Sequence, residues 1–125
     1  PAQWQAQMAT TVLIVDDHAT FRASARLLLE AEGFEVIGEA ADGGSALEQT
    51  TSLSPDLVLL DVQLPGIDGF EVASRVTQTA DAPAVILISS RDGGDFGPIV
   101  KASGARGFVA KADLSGESLR ALLDG

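Results

Sequence analysis

The stretch Thr11–Asp17, TVLIVDD, joins five apolar or β-branched residues directly to two carboxylates. Side chains of that kind in an unbroken run read as a strand, and the missing polar alternation reads as a strand covered on both faces. The same arrangement returns at 55–61, PDLVLLD, where Pro55 announces a strand over Asp56–Leu60 and Asp61 stands behind it. A third apolar run, Ala84–Ile88, follows Pro83. Strands buried on both faces imply a parallel sheet, because parallel crossovers lay helices over both of its sides.

The segments between the strands supply those helices. Residues 19–32 set Phe21, Ala25, Leu28 and Leu29 on one side, with Gly33 as a stop. A helix over Ser45–Thr51 follows Asp42-Gly43-Gly44, and Gly69–Gln78 carries Phe70, Ala73 and Val76 at helical spacing. A poor helix is expected over roughly 98–103, and Ser115–Leu123 turns Leu119, Leu122 and Leu123 inward. Phe34–Ala40 and Gly107–Val109 complete a set of five strands. The expected fold is α/β: a flavodoxin-like, doubly wound five-stranded parallel sheet in the order 2-1-3-4-5, with helices on both faces. Residues 1–10, which include Trp4, lack periodicity and are expected to be a tail or an expression remnant, leaving 11–125 as one domain. Arg91–Pro98 holds three glycines and is expected to be a loose loop, with Pro98 suited only to the first turn of a helix.

Composition narrows the function. The 125 residues carry 18 acidic and 8 basic side chains, a formal net charge of −10, so binding of this segment to a phosphate backbone is disfavoured. No apolar run approaches the length of a bilayer span, and no secretory pattern opens the chain. Cysteine is absent, which removes disulfides and thiolate metal sites and suits a cytoplasmic setting.

In an open parallel sheet, ligands bind beyond the carboxyl ends of the strands, where the strand order reverses. Asp16 and Asp17 follow the first strand and Asp61 the third, and the proposed order makes these strands neighbours. Carboxylates gathered within several Å repel by roughly 1–4 kcal/mol per pair. A divalent cation relieves that repulsion, and hard oxygen ligands with no His or Cys expected nearby favour Mg²⁺ over zinc. Taken singly, these residues also suit a helix N-cap, its solvated neighbour and a turn before Pro65-Gly66. Ser89 ends the fourth strand and Lys111 follows the fifth, offering a hydroxyl and an ammonium to a phosphoryl group at the same rim. Together, Asp16, Asp17, Asp61, Ser89 and Lys111 read as a phosphoryl-transfer site. His18 reads as a helix-start residue.

VLIVDDH at 12–18, LVLLDVQLPGIDG at 57–69, VILISS at 85–90 and GFVAK at 107–111 resemble the receiver domains of two-component response regulators. VDDH with VIGEAADG at 36–43 looks most like the subfamily with a C-terminal helix-turn-helix output. The resemblance implies that Asp61 accepts the phosphoryl group and that Asp17 contacts Mg²⁺ directly while Asp16 acts through water. It implies a metal ligand in the backbone carbonyl of Gln63, switch residues in Ser89 and Phe108, and a phosphoryl-binding lysine in Lys111. It implies a sensor histidine kinase or a histidine phosphotransfer protein as donor, allows a homodimer, and involves neither membrane nor direct nucleic-acid contact by this segment. The chain would be a stand-alone receiver or the receiver part of a DNA-binding transcriptional regulator. The family's lysine is usually followed by proline; here Ala112 follows, which leaves the local loop open. An aspartyl-phosphate phosphatase of the haloacid dehalogenase type would need a second acid two positions after Asp61, where Gln63 stands. A receiver-like module that takes no phosphate is the other alternative, and the intact set of five residues argues against it.

Overall fold

The computed structural model describes residues 9–90 and 97–124. Its five strands are β1 (Thr11–Val15), β2 (Glu35–Ala40), β3 (Leu57–Asp61), β4 (Ala84–Ser89) and β5 (Gly107–Ala110). Its helices are α1 (Ala19–Ala31), α2 (Gly43–Leu53), α3 (Gly69–Val76), α4 (Gly97–Ala102) and α5 (Gly116–Asp124), with a 3₁₀ turn at Lys111–Asp113. The strands form one sheet in the order β2-β1-β3-β4-β5, every pairing parallel, as the sequence implies. Expectations for residues 1–8, including Trp4, and for Arg91–Phe96 lie outside the described residues. Pro98 does fall in the first turn of α4.

Strand alternation sorts the core into two layers. Leu13, Val15, Val58, Leu60, Val85 and Leu87 pack with Ala46 of α2, Val72, Ala73 and Val76 of α3, and Val100 of α4. Val12, Ile14, Leu57, Leu59, Ile86 and Ile88 pack on the other side with Ala25 and Leu29 of α1 and Leu119 of α5. Each fully buried Leu or Ile contributes about 1.5–3 kcal/mol of transfer free energy, so the three central strands anchor everything attached to their ends.

Several element ends differ from expectation, each for a local reason. Asp42 accepts a hydrogen bond from the Ser45 N–H at 2.8 Å, so α2 starts at Gly43 rather than Ser45 and runs on to Leu53. β3 includes Asp61 and β4 includes Ser89, because their ladders continue through Asp61 opposite Ile88 and Ser89 opposite Ala110. Ser115 stands outside α5 as part of a reciprocal cap: its Oγ accepts from the Ser118 N–H, while Ser118 Oγ accepts from the Ser115 N–H, each at 3.0 Å. α3 ends at Val76, with Thr77 Oγ1 donating back to the Ala73 carbonyl at 2.7 Å. Ala112 sits in the 3₁₀ turn, and no described peptide bond is cis.

Gly69 opens α3 directly against the end of β3. Its N–H donates to the Val62 carbonyl at 3.0 Å, and a Cβ there would stand 2.1 Å from the Asp61 carbonyl oxygen and 2.7 Å from the Val62 Cα. Those neighbours are backbone and cannot rotate away. Gly69→Ala is expected to lower stability by about 1–3 kcal/mol, as overpacking does. A urea denaturation midpoint unchanged from the parent would contradict this account of the junction.

Candidate functional site

The register Val15↔Leu60 between β1 and β3 carries the chain out of the sheet with Asp16 and Asp61 side by side. Both sit on the strand face that carries Val12, Ile14, Leu57 and Leu59, the side of α1 and α5. They are effectively buried, at 0% and 4% exposure. Lys111 follows β5 on that same face, and its Nζ lies 2.5 Å from Asp16 Oδ2 and 3.1 Å from Asp61 Oδ2. The ammonium also sits 4.4 Å from the centre of the Phe21 ring on α1, an attractive cation–π geometry. One cation therefore bridges two buried carboxylates while resting on an aromatic floor.

Backbone donors hold the other carboxylate oxygens. Asp16 Oδ1 accepts from the His18 N–H at 2.7 Å, and Asp61 Oδ1 accepts from the Gln63 N–H at 2.9 Å. Asp17 is more open, and the His18 Nδ1 lies 3.1 Å from an oxygen of both Asp16 and Asp17. His18 itself is the N-cap residue of α1, in keeping with a helix-start role. Gln63 is exposed and lines a groove of about 570 Å³ with Asp17, Val62, Leu64, Pro65, Asp68 and Phe70.

Charge compensation is incomplete. Burial, then the Asp16 carboxylate beside it, pushes Asp61 up to about 6, against the pull of the Gln63 N–H and Lys111. Burial also works to raise Asp16, yet contacts with Asp61, Lys111 and the His18 N–H outweigh it and hold Asp16 below the ordinary value. The pair thus keeps Asp16 ionised and loads any shared proton onto Asp61. Burial would lower Lys111, but its two carboxylate partners prevail and raise it.

The residues suit a hard divalent cation. Asp16, Asp17, His18 and Asp61 each bring one candidate ligand atom within 4.8 Å of the others, which corrects the expectation of no His nearby: His18 follows the two acids directly and turns its ring onto them. Asp16 Oδ2 is wholly buried and accepts no hydrogen bond among the described residues, although the Lys111 ammonium pairs with it. A buried carboxylate oxygen in that state, among other carboxylates, is what an Mg²⁺ or its water shell could satisfy.

Ser89 and Phe108 belong to the other half of the rim. Ser89 is buried at the end of β4 and shares strand parity with Val85 and Leu87. Phe108 is half-buried and packs against the core layer of α2, α3 and α4. The structure thus joins Asp16, Asp17, Asp61 and Lys111 in one cluster and sets Ser89 and Phe108 on neighbouring strands facing α4. Sequence reasoning missed four contributors. The sequence alone puts Phe21 on the apolar side of a helix, Gly69 at a helix start within a motif and Glu39 within VIGEAADG, and it gives none of them, nor Arg22, a part in the site. Arg22 Nη1 donates to the Asp16 backbone carbonyl at 2.6 Å, and Glu39 holds Arg22 by a 3.0 Å ion pair. A glutamate inside the apolar strand Glu35–Ala40 was the available signal.

The chain as a whole is similar to known proteins. The response regulator receiver domain family model matches residues 12–123. A Pseudomonas aeruginosa protein whose name assigns it to transcriptional regulation is 41% identical over 110 residues, which are 88% of this chain and 53% of that protein. The DNA-binding transcriptional activator EvgA of Escherichia coli is 33% identical over 101 residues, 81% of this chain and 50% of EvgA. The signal receiver domain of NarL from Mycobacterium tuberculosis superimposes with a TM-score of 0.83 at 37% identity, covering 93% of this chain and 94% of that one. The chain spans about half the length of the curated relatives it matches. Among the described residues, no helix is long and apolar enough to cross a membrane.

Because Asp61 titrates higher folded than unfolded, its contribution to stability is present below the ordinary 3.8 and is lost as pH rises through about 6. Asp61→Asn is therefore expected to stabilise the metal-free protein near neutral pH, by on the order of 1–3 kcal/mol. The gain should fade near pH 4, where the parent Asp61 is largely protonated. Urea titrations of both proteins at the two pH values measure it, and a gain that grew on acidification would contradict the electrostatic origin.

Proposed function

This chain belongs to the response regulator receiver domains, and we propose that it is a phosphoacceptor switch whose nucleophile is Asp61. The observation that supports this most is the buried Asp16–Asp61 pair bridged by Lys111 at the carboxyl rim of the sheet. A carboxylate kept short of compensating charge is poised to gain from an incoming cation and phosphoryl group.

In the reaction, a carboxylate oxygen of Asp61 attacks the phosphorus of a phosphohistidine on a sensor kinase or phosphotransfer protein. The new O–P bond forms as the N–P bond breaks, and the imidazole leaves with the electron pair and takes up a proton. Phosphoryl transfer asks a protein mainly for positioning and charge stabilisation. The Gln63 N–H orients Asp61, holding one carboxylate oxygen, and Lys111 stands ready to follow the other as it becomes esterified. Asp16, Asp17, Asp61 and the backbone carbonyl of Gln63 would hold Mg²⁺, which when bound supplies positive charge to the phosphoryl oxygens. Ser89 at the next strand end would donate a hydrogen bond to the phosphoryl group, and Phe108 would follow that engagement inward. The domain would thus catalyse only its own phosphorylation and dephosphorylation. The names of its relatives support a place in transcription regulators, with the receiver controlling an output segment.

Incubation with acetyl phosphate and Mg²⁺, followed by intact mass spectrometry, tests the assignment. The parent is expected to gain one phosphoryl group and Asp61→Asn none. Equal gain by the Asn variant would remove Asp61 from its role.

A further inference from the structure

Asp16 is held at both of its peptide groups. Its N–H donates to the Ala40 carbonyl of β2 at 3.0 Å, and its carbonyl accepts from Arg22 Nη1 at 2.6 Å. Arg22 reaches back from the first turn of α1 to do this, and only 17% of its side chain is exposed. Its Nε donates to Glu39 Oε1 at 3.0 Å, while the second oxygen of Glu39 takes the Arg26 Nε at 2.9 Å. The two arginines hold Glu39 below the ordinary carboxylate range, Arg26 contributing most. Arg26 donates as well, more weakly, to the Val36 carbonyl and to Glu30 Oε2, each at 3.4 Å.

We propose that Arg22 is a positioning residue of the acidic site, clamped by Glu39 so that its guanidinium fixes the Asp16–Asp17 peptide and thereby aims both carboxylates. The proposal rests on the reading of that rim as a Mg²⁺ and phosphoryl site. The geometry explains why the side chain is an arginine. One planar group must donate in two directions, to a carboxylate on β2 and to a carbonyl at the end of β1, and a lysine ammonium lacks that fixed fork. The carbonyl it satisfies belongs to the peptide that joins the two acidic residues, so freeing that peptide lets the Asp17 carboxylate rotate relative to Asp16. Side chains that orient ligands in this indirect way govern metal affinity by about 10–100-fold.

The sign of the effect separates positioning from simple electrostatics. Arg22 is a cation close to an acidic cluster, so its removal should by Coulomb's law tighten binding of another cation. Positioning requires the opposite. A titration of the ¹⁵N-labelled protein with Mg²⁺ alone, following the Asp17 and Gln63 amides, measures the affinity without phosphorylation. Arg22→Ala is expected to bind Mg²⁺ about ten-fold more weakly, and Arg22→Lys, which keeps the charge, to be weakened in the same direction by a smaller factor. Arg26→Ala breaks the companion bridge to Glu39 without touching the Asp16 carbonyl and is expected to stay within about two-fold of the parent. Should Arg22→Ala prove unfolded by amide dispersion, Arg22→Lys alone decides. Parental or tighter Mg²⁺ binding by the folded Arg22 variants overturns the proposal, as does an equal loss in Arg26→Ala. A parent that binds no Mg²⁺ overturns instead the reading of the rim as a metal site, and the proposal with it.

Discussion

A single ammonium shared between two buried carboxylates governs this molecule. Lys111 neutralises part of the charge on Asp16 and Asp61, yet Asp17 stands beside them and the cluster stays net negative. Removing a carboxylate from water costs several kcal/mol, and one partial partner does not restore it. The structure tolerates the deficit because the strands below are fully buried on both faces, so the rim cannot relax by spreading apart. The residual repulsion is the property that gives the site an appetite for positive charge, and it is held in place by an apolar core with no polar role of its own.

Topology converts sequence separation into that contact. Asp16 and Asp61 are 45 positions apart, yet the β1–β3 register makes them direct successors of the paired Val15 and Leu60. A slip of one residue would turn Asp61 toward the α2–α4 layer and leave Lys111 facing a single carboxylate. The register is protected by the apolar pattern itself, since the same slip would exchange the two layers packed against α1 and α3. The two-fold period of the strands also divides the labour at the rim. Asp16, Asp61 and Lys111 lie on the side of α1, with the ammonium over Phe21, whereas Ser89 and Phe108 share the side of α4. The Asp16–Asp61–Lys111 cluster and the Ser89–Phe108 pair thus lie toward opposite faces of one sheet edge.

What the sequence makes legible follows from how local each signal is. Apolar runs ending in Asp16-Asp17, Asp61 and Ser89 announce strands and their chemistry together, because burial on both faces and the carboxyl-end rule need only short windows. The order of the strands comes from no single residue: crossover handedness leaves few topologies, and 2-1-3-4-5 is the usual one at this size. Element ends were less legible where a side chain overrides composition: the glycine pair Gly43-Gly44 looks like a loop until Asp42 caps it. Arg22 was illegible for a different reason. Its partners lie just after β1 and near the end of β2, so its function exists only after three elements have met. Gly69 shows the same limit, since the need for a missing Cβ arises from the Asp61 carbonyl, which packs against it only in the folded chain.

The packing of α4 bears on how a change at the rim could travel. α4 spans six residues and buries only Val100, whereas α3 buries Gly69, Val72, Ala73 and Val76. A helix with one buried anchor lies at the low end of local stability, so it shifts for less free energy than its neighbours. Moving a two-state element from 1:99 to 99:1 takes about 5.5 kcal/mol of differential stabilisation. Hydrogen bonds to a charged group contribute roughly 1.5–3 kcal/mol each, so two or three new ones at the rim reach that range. On the proposed function, Ser89 and Lys111 would direct such bonds to the phosphoryl group, and Phe108 is the side chain between that rim and the α4 layer. The same bonds could not displace α3, whose several buried contacts and tight junction at Gly69 would oppose them. On that reading the response would be directed by where the core is thin, and the thin place adjoins the side of the rim that carries the hydroxyl.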